Sequence, residues 1–311
     1  MNPINLNNLS NDELTKILDS FDTIITDCDG VLWHDNTPIA GAAEVMSAFD
    51  RLGKKVFYIT NNSTKSCEEF IEKFHSLNFP ANDENILCTS YLVAKYLKDK
   101  NFKKKVYMIG SSGIAKELDK VGIPHVGLGR DPITSDDVSL LLSYFKPDSE
   151  VGAVVVGFDL HFNYLKLLKA ASFLNNKDVE FIATNTDEQF PGDNNIIIPG
   201  TGSLVKCVET CSERKATVMG KPSTYISEML HKNYKINPER TLMIGDRANT
   251  DILLGKRCNY KTLLVLTGVS TAEQVEKWKK SSDPYDHELV PTYYSNSIAD
   301  LLPSLEKKFK N

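Results

Sequence analysis

Two aspartates separated by one residue form the first candidate site of chemistry in this chain. Asp27 and Asp29 are followed by Gly30, and the apolar, β-branched run 21–26 before them predicts a buried strand. Asp27 therefore lies at the carboxyl end of that strand, where open α/β sheets bind ligands. Two carboxylates this close repel each other and are costly to keep unless a cation or a proton-transfer step uses them, which favours a chemical role. Taken alone, the pattern is equally typical of an Asp-rich turn that caps a strand.

Further polar residues follow other predicted strands. They are Thr60 with Asn61, Lys221, and the pair Asp246 and Asp251. Each has a simple structural explanation in isolation, since a polar cluster after a strand often caps a helix and a single lysine is usually solvated. Because the carboxyl ends of parallel strands meet at one edge of a sheet, we expect these side chains to converge on the Asp27 turn.

The elements that must position these residues alternate between strand and helix. This alternation predicts an α/β protein with a doubly wound, Rossmann-like parallel sheet. A helix begins near Gly41, and the alternation starts again after Phe102, which predicts a second α/β unit. The predicted strands lie at 21–26, 55–59, 105–109, 151–156, 179–183, 241–244 and 261–267.

Composition excludes several classes of function. The 311 residues carry a net charge of -5 with no basic stripe, which argues against nucleic-acid binding. No apolar stretch approaches the roughly 20 residues that a membrane-spanning helix needs. The polar N-terminus is typical of neither a secretory signal nor a transit peptide, so we expect a cytoplasmic protein. The six cysteines lack the spacing of a zinc site and are predicted to be reduced thiols.

The combined order of these motifs resembles the haloacid dehalogenase superfamily of phosphatases. The matching residues are Asp27-Cys28-Asp29-Gly30, Thr60, Lys221, and Gly245-Asp246 with Asp251. Longer segments, including Thr60-Asn61-Asn62-Ser63 and Gly220-Lys221-Pro222-Ser223, are similar to the group of 4-nitrophenylphosphatases, phosphoglycolate phosphatases and pyridoxal phosphatases. The resemblance covers nearly the full chain.

The resemblance implies a role for each matched residue. Asp27 would be the nucleophile that forms an aspartyl-phosphate, and Asp29 the general acid and base. Thr60, Asn61 and Lys221 would bind the phosphoryl group. The implied cofactor is Mg²⁺, which relieves repulsion between the phosphate and a carboxylate nucleophile. Its ligands would be Asp27, the Asp29 carbonyl and Asp246, while Asp251 would support the metal ligands or Lys221.

The resemblance also implies an inserted cap domain that selects the substrate. We predict this cap at 102–214, within a discontinuous catalytic core formed by 1–101 and 215–311, and a homodimer through the cap. Asp187 and Phe190 lie in the loop expected to read the substrate. Pyridoxal phosphatases carry a histidine immediately before the proline of this loop, whereas this chain has Phe190. The preferred substrates are therefore small phosphate monoesters, 2-phosphoglycolate or 2-phospholactate, with 4-nitrophenyl phosphate as artificial substrate and pyridoxal 5'-phosphate as the alternative.

Two other classes of function use similar residues. A signalling receiver also combines a phosphorylated aspartate, a threonine, a lysine and Mg²⁺, but it lacks an acid two residues after the phosphoacceptor and needs only one domain. A catalytically inactive relative is disfavoured because every matched catalytic position is filled. Asp29 and the predicted cap therefore favour an enzyme.

Overall fold

The chain forms two compact units in the computed structural model, which describes residues 2–133, 137–191 and 196–309. Unit 1 comprises Met1–Thr60, Glu68–Leu87 and Lys221–Asn311. Unit 2 comprises Asn61–Cys67 and Cys88–Gly220. The chain therefore leaves unit 1 twice and returns to it twice.

A parallel sheet forms the centre of unit 1. Its strands are β1 (Ile4–Asn5), β2 (Thr23–Thr26), β5 (Lys55–Thr60), β6 (Ile86–Cys88), β14 (Thr241–Gly245), β15 (Lys261–Val265) and β16 (Tyr293–Ser295), and a small antiparallel pair is formed by β3 (Trp33–His34) and β4 (Thr37–Pro38). The strand order is β1-β16-β15-β14-β2-β5-β6, and each neighbouring pair in that order from β1 to β5 is parallel.

The central strands are buried because helices cover the sheet. All residues of β2 and β14 are buried, as expected for strands of a parallel sheet. α2 buries Val45, Met46 and Phe49 at helical spacing. The helices of unit 1 are α1 (Asn11–Asp19), α2 (Ala42–Arg51), α3 (Cys67–Ser76), α9 (Tyr225–Tyr234), α10 (Leu253–Arg257), α11 (Ala272–Lys280), α12 (Pro284–Glu288) and α13 (Leu302–Lys307).

A second parallel sheet forms the centre of unit 2, in the order β13 (Thr217–Val218), β10 (Glu180–Ala183), β9 (Val151–Val156), β7 (Lys105–Ile109) and β8 (His125–Val126). Val154, Val156 and Phe181 belong to its buried core. The elements of unit 2 are α4 (Thr89–Asp99), β7 (Lys105–Ile109), α5 (Ser112–Lys120), β8 (His125–Val126), α6 (Val138–Tyr144), β9 (Val151–Val156), α7 (Tyr164–Leu174), β10 (Glu180–Ala183), α8 (Thr201–Ser212) and β13 (Thr217–Val218), with the antiparallel pair β11 (Gln189–Pro191) and β12 (Ile197–Pro199).

The α/β fold class predicted from the sequence is confirmed. The borders between the two units lie at 60/61, 67/68, 87/88 and 220/221, and α4 belongs with unit 2, where it packs on α5. A cap at 102–214 within a core of 1–101 and 215–311 stays a prediction. Among the described residues, no helix combines the length and apolar character needed to cross a membrane.

Candidate active site

Asp27 follows β2 directly and lies at the carboxyl edge of the unit 1 sheet. Its backbone N–H donates to the Ile244 carbonyl at 2.8 Å, which continues the pairing of β2 with β14 by one residue. Its carboxylate Oδ1 accepts a hydrogen bond from the Cys28 backbone N–H at 2.7 Å. The side chain is 13% exposed. Asp27 is therefore fixed by backbone contacts while part of its carboxylate faces solvent.

Lys221 joins three elements at this edge. Its Nζ lies 2.6 Å from Asp27 Oδ1 and 2.9 Å from Asp251 Oδ1, and it donates to the Ile59 carbonyl near the end of β5. Burial lowers the pKa of Lys221, but the carboxylates of Asp251 and Asp27 outweigh it and raise the pKa above its ordinary value. Lys221 is consequently a fixed cation between two carboxylates, unlike the solvated lysine that is usual for an isolated residue.

Asp246 follows β14 directly, and Asp251 lies in the π-helical segment Ala248–Ile252 that begins two residues later. A Cβ built on Gly245 would lie 2.2 Å from Asp251 Cβ, so only glycine lets Asp251 approach the end of β14 this closely. Asp251 Oδ2 accepts a hydrogen bond from the Arg247 backbone N–H at 3.1 Å. Asp246 Oδ2 accepts one from the Val269 backbone N–H at 2.7 Å. Both carboxylates are therefore oriented by the backbone.

Carboxylate oxygens of Asp27, Asp246 and Asp251 lie within 4.8 Å of one another. Burial, followed by repulsion from Asp27 and Asp251, raises the pKa of Asp246 to about 8. Burial raises the pKa of Asp251 to about 6 although Lys221 opposes the rise, and burial likewise raises that of Asp27. One lysine does not compensate three clustered carboxylates, so this donor set fits a hard divalent cation such as Mg²⁺.

Asp29 differs from these acids because its side chain is exposed. Its Oδ1 accepts a hydrogen bond from Trp33 Nε1 at 2.9 Å, and the Trp33 carbonyl accepts one from the Gly30 N–H. Trp33 itself is fully buried, so it holds Asp29 in one direction at the sheet edge. The side-chain cluster consists of Asp27, Asp246 and Asp251, while the predicted contribution of Asp29 to metal binding is its carbonyl.

Thr60 is the last residue of β5, the strand that pairs with β2 on the side opposite β14. It is buried. Asn61 follows directly and is grouped with unit 2, where its Nδ2 donates to the Asp187 carboxylate at 3.1 and 3.3 Å. The two predicted phosphate-binding residues at the end of β5 are thus held in different ways. Thr60 is held by its place in the strand, and Asn61 by a side-chain hydrogen bond to Asp187 of unit 2.

Phe190, the other residue predicted to select the substrate, lies on β11 of unit 2. Its ring packs edge-on against Phe158, with centroids 6.2 Å apart. Phe190 is half-buried, so part of the ring remains accessible for stacking. Its partner Phe158 comes from the segment that follows β9.

Three contributors to this site were not assigned a role from the sequence: Trp33, Gly245 and Val269. Trp33 lies four residues after Asp29, within the segment that carries the resemblance, and an indole donor beside an acid was a usable signal. Gly245 precedes Asp246 in the motif, which also could have indicated a close approach. Val269 acts through its backbone N–H, for which the side-chain sequence gives no signal.

Comparison with known proteins identifies the family. The profile described as "Haloacid dehalogenase-like hydrolase" matches residues 24–124, and a second profile of HAD-like hydrolases matches residues 218–301. A glycerol-3-phosphate phosphatase of Rattus norvegicus is 42% identical over 307 residues, covering 96% of this chain and 95% of the relative. The chain belongs to the haloacid dehalogenase-like hydrolases. Within this family it is a phosphatase, a hydrolase of phosphoric monoesters.

The chain is also similar to two further phosphatases, one compared by sequence and one by solved structure. Phosphoglycolate phosphatase 1A, chloroplastic, of Arabidopsis thaliana is 36% identical, covering 92% of this chain and 78% of the relative. The solved structure of the p-nitrophenyl phosphatase from Archaeoglobus fulgidus superposes with a TM-score of 0.76 at 28% identity, covering 91% of this chain and 99% of that one. The family resemblance inferred from the motifs is therefore confirmed.

Proposed function

We propose that this hydrolase is a Mg²⁺-dependent phosphatase of small phosphate monoesters that works through an aspartyl-phosphate on Asp27. The observation that carries the proposal is the position of Asp27 at the carboxyl edge of the sheet. Its Oδ1 lies 2.6 Å from the Lys221 ammonium, and its carboxylate belongs to a cluster with Asp246 and Asp251. A fixed, partly exposed carboxylate beside a buried cation is suited to act as a nucleophile.

The metal part of the proposal depends on the same cluster. Asp27, Asp246 and the Asp29 carbonyl would hold the ion, and Asp251 would keep Lys221 in place. When bound, Mg²⁺ supplies positive charge that reduces the repulsion between the phosphoryl group and the Asp27 carboxylate. The raised pKa values of Asp246 and Asp251 support a cation at this place, since they express the cost of burying these carboxylates without one.

The residues of the chain divide the reaction into two displacements. Cys28 N–H and Lys221 both contact Oδ1 of Asp27, so we assign the attack on phosphorus to Oδ2. As the bond from phosphorus to the leaving oxygen breaks, Asp29 gives its proton to that oxygen. Asp29, now a carboxylate, takes a proton from the water that attacks phosphorus and releases Asp27. Thr60, Asn61 and Lys221 hold the phosphoryl oxygens in both steps.

The substrate proposal is 2-phosphoglycolate or 2-phospholactate. The Arabidopsis relative named for phosphoglycolate supports it. Asp187, an acid that would repel an anionic substrate, accepts a hydrogen bond from Asn61, and this engagement removes part of that objection. Glycerol 3-phosphate is the second candidate, because the 42% identical relative is named for it. Cytoplasmic location and a homodimer through the cap predicted at 102–214 stay predictions.

A substrate panel on the purified chain tests this proposal. The kcat/KM values for 2-phosphoglycolate, 2-phospholactate, glycerol 3-phosphate, pyridoxal 5'-phosphate and 4-nitrophenyl phosphate are measured with Mg²⁺ and with a chelator. Asp27→Asn serves as the matched inactive control. We expect hydrolysis that requires both Mg²⁺ and Asp27, with the highest kcat/KM for a phospho-acid. A higher value for pyridoxal 5'-phosphate would overturn the substrate ranking, and hydrolysis by Asp27→Asn would overturn the mechanism.

A further inference from the structure

Asn61 is held on both its backbone and its side chain by residues of unit 2. Its carbonyl oxygen accepts hydrogen bonds from Asn185 Nδ2 at 2.7 Å and from Thr89 Oγ1 at 2.8 Å. Its carboxamide Nδ2 lies 3.1 Å from Asp187 Oδ1 and 3.3 Å from Oδ2. All four residues are buried. This set of contacts fixes the residue that follows Thr60 in the chain.

The chemistry of Asp187 decides how the carboxamide is turned. A carboxylate only accepts hydrogen bonds, so the NH₂ end of Asn61 must face it and the oxygen must face away. On the oxygen side, a Cβ built on Gly220 would lie 2.5 Å from Asn61 Oδ1. A larger residue at 220 would displace the carboxamide. Asp187 and Gly220 therefore confine the Asn61 side chain to one orientation.

Asp187 is itself fixed relative to Asn61. Its backbone N–H donates to Asn185 Oδ1 at 3.1 Å, and the same Asn185 side chain donates from Nδ2 to the Asn61 carbonyl. One carboxamide thus links the backbones of both residues. Asp187 as a whole residue is 8% exposed, and its exposed neighbour Glu188 takes no part in these contacts. These hydrogen bonds fix the position of the Asp187 carboxylate relative to Asn61.

We propose that Asp187 is a positioning residue that acts on catalysis through Asn61. The inference rests on the proposed function, in which Asn61 holds the phosphoryl group; because the carboxamide N–H groups face Asp187, we assign the donor to the phosphoryl oxygen to the Asn61 backbone N–H. It differs from the sequence prediction that Asp187 selects the substrate. A residue that selects the leaving group affects some substrates more than others. A residue that orients a phosphoryl ligand affects every monoester equally and also affects inorganic phosphate, which has no leaving group.

The size of the effect follows from the type of contact. A buried hydrogen bond to a charged acceptor is stronger than one to a neutral acceptor. Truncating Asp187 therefore removes the carboxylate that accepts from the buried Asn61 carboxamide. We expect Asp187→Ala to lower kcat/KM by about 10- to 100-fold for every substrate. Asp187→Asn keeps a neutral acceptor of the same shape and should lose less.

The test combines kinetics with direct binding of inorganic phosphate in the presence of Mg²⁺. The kcat/KM values of 4-nitrophenyl phosphate and 2-phosphoglycolate are compared for wild type, Asp187→Ala, Asp187→Asn, Asn61→Ala and the double variant Asn61→Ala with Asp187→Ala. Glu188→Gln is the matched control, since it removes one negative charge from the adjacent, exposed side chain. Phosphate affinity is measured by titration calorimetry and folding by thermal unfolding.

We expect equal fold-losses for both substrates, a parallel loss of phosphate affinity, no change in Glu188→Gln, and a double variant no worse than Asn61→Ala. If Asp187→Ala fails to fold, Asp187→Asn takes its place, with a smaller loss of kcat/KM that is equal for the two substrates. Unequal losses with unchanged phosphate affinity, or additive effects of the two substitutions, would overturn the inference. Absence of hydrolysis by the wild type would instead overturn the proposed function, and phosphate affinity would still test Asp187.

Discussion

At the scale of single residues, Asp27 and Asp29 differ in solvent exposure although only one residue separates them. Asp27 is largely enclosed by Lys221 and two buried carboxylates, whereas Asp29 is exposed and held by Trp33. A group that gives and takes a proton must reach the leaving group and then water, which suits the exposed acid. A nucleophile must be fixed and ionised, and Lys221 favours the carboxylate form of Asp27 by opposing the rise in pKa that burial causes.

This division predicts that Asp29→Asn affects substrates according to their leaving group. 4-Nitrophenolate leaves without a proton, so formation of the phosphoenzyme should stay fast while its hydrolysis slows. A pre-steady-state burst followed by a slow steady rate is the expected time course for 4-nitrophenyl phosphate. For an alkyl phosphate, kcat/KM should fall by about 100-fold or more because protonation of the leaving oxygen is lost as well. Equal losses in burst and steady-state rates for both kinds of substrate would assign Asp29 another role.

The raised pKa of Asp246 predicts how the stability of the metal-free protein depends on pH. This pKa is about 8 in the folded chain against 3.8 for an ordinary Asp, so the folded state binds more protons over this range. Stability of the metal-free protein should therefore decrease as pH rises from about 4 to about 8. Asp246→Asn removes this titration and should unfold at a higher temperature than wild type at pH 8. Thermal unfolding with and without Mg²⁺ measures both effects, and Mg²⁺ should stabilise only the wild type.

At the scale of secondary-structure elements, the turn after β14 brings two acids to the sheet edge because Gly245 has no side chain. Gly245→Ala would place a Cβ 2.2 Å from Asp251 Cβ. We expect it to displace Asp251 from Lys221, to destabilise the fold by about 1–3 kcal/mol and to lower kcat by about 100-fold. Urea unfolding and steady-state kinetics check the two quantities.

The matched control for that substitution is Gly53→Ala in the same unit. A Cβ on Gly53 meets nothing within 4 Å, but its φ of +68° is unfavourable for alanine. This variant should lose about 1 kcal/mol of stability and keep full activity. If both variants lost activity in proportion to stability, Gly245 would have only a structural role.

Elements with long buried or periodic apolar patterns could be predicted from the sequence. The strands predicted at 105–109 and 151–156 agree with β7 and β9 residue for residue. The edge strand β1 and its neighbour β16 were not predicted, since two or three residues carry no pattern and their pairing joins distant parts of the chain. In the site, the convergence of Asp27 and Asp246 followed from their places after the parallel strands β2 and β14. Lys221 follows β13, a strand of the unit 2 sheet, so strand order alone does not explain its position beside Asp27. The contact of Trp33 with Asp29 depends on a turn whose geometry the sequence did not specify.

At the scale of the whole molecule, we propose that the nucleophile and the proton donor belong to unit 1, whereas Phe190 of unit 2 affects the choice of substrate. The acids and Lys221 belong to unit 1, and Phe190 belongs to unit 2. Phe190→Ala should therefore change the ratio of kcat/KM between 2-phosphoglycolate and pyridoxal 5'-phosphate, by about 10-fold if the ring stacks on the pyridine. Inorganic phosphate affinity should stay unchanged. Phe158→Ala, which removes the packing partner, serves as a control for loss of local packing.

The central claim is that Asp27 carries the phosphoryl group during turnover. The most direct measurement is mass spectrometry of Asp29→Asn, quenched in acid within one turnover of 4-nitrophenyl phosphate and digested at low pH. We predict one phosphoryl group on the peptide that contains Asp27, absent when Asp27→Asn is added to the same variant. A phosphoryl group on any other residue, or release of 4-nitrophenolate at the wild-type rate by Asp27→Asn, would contradict the account.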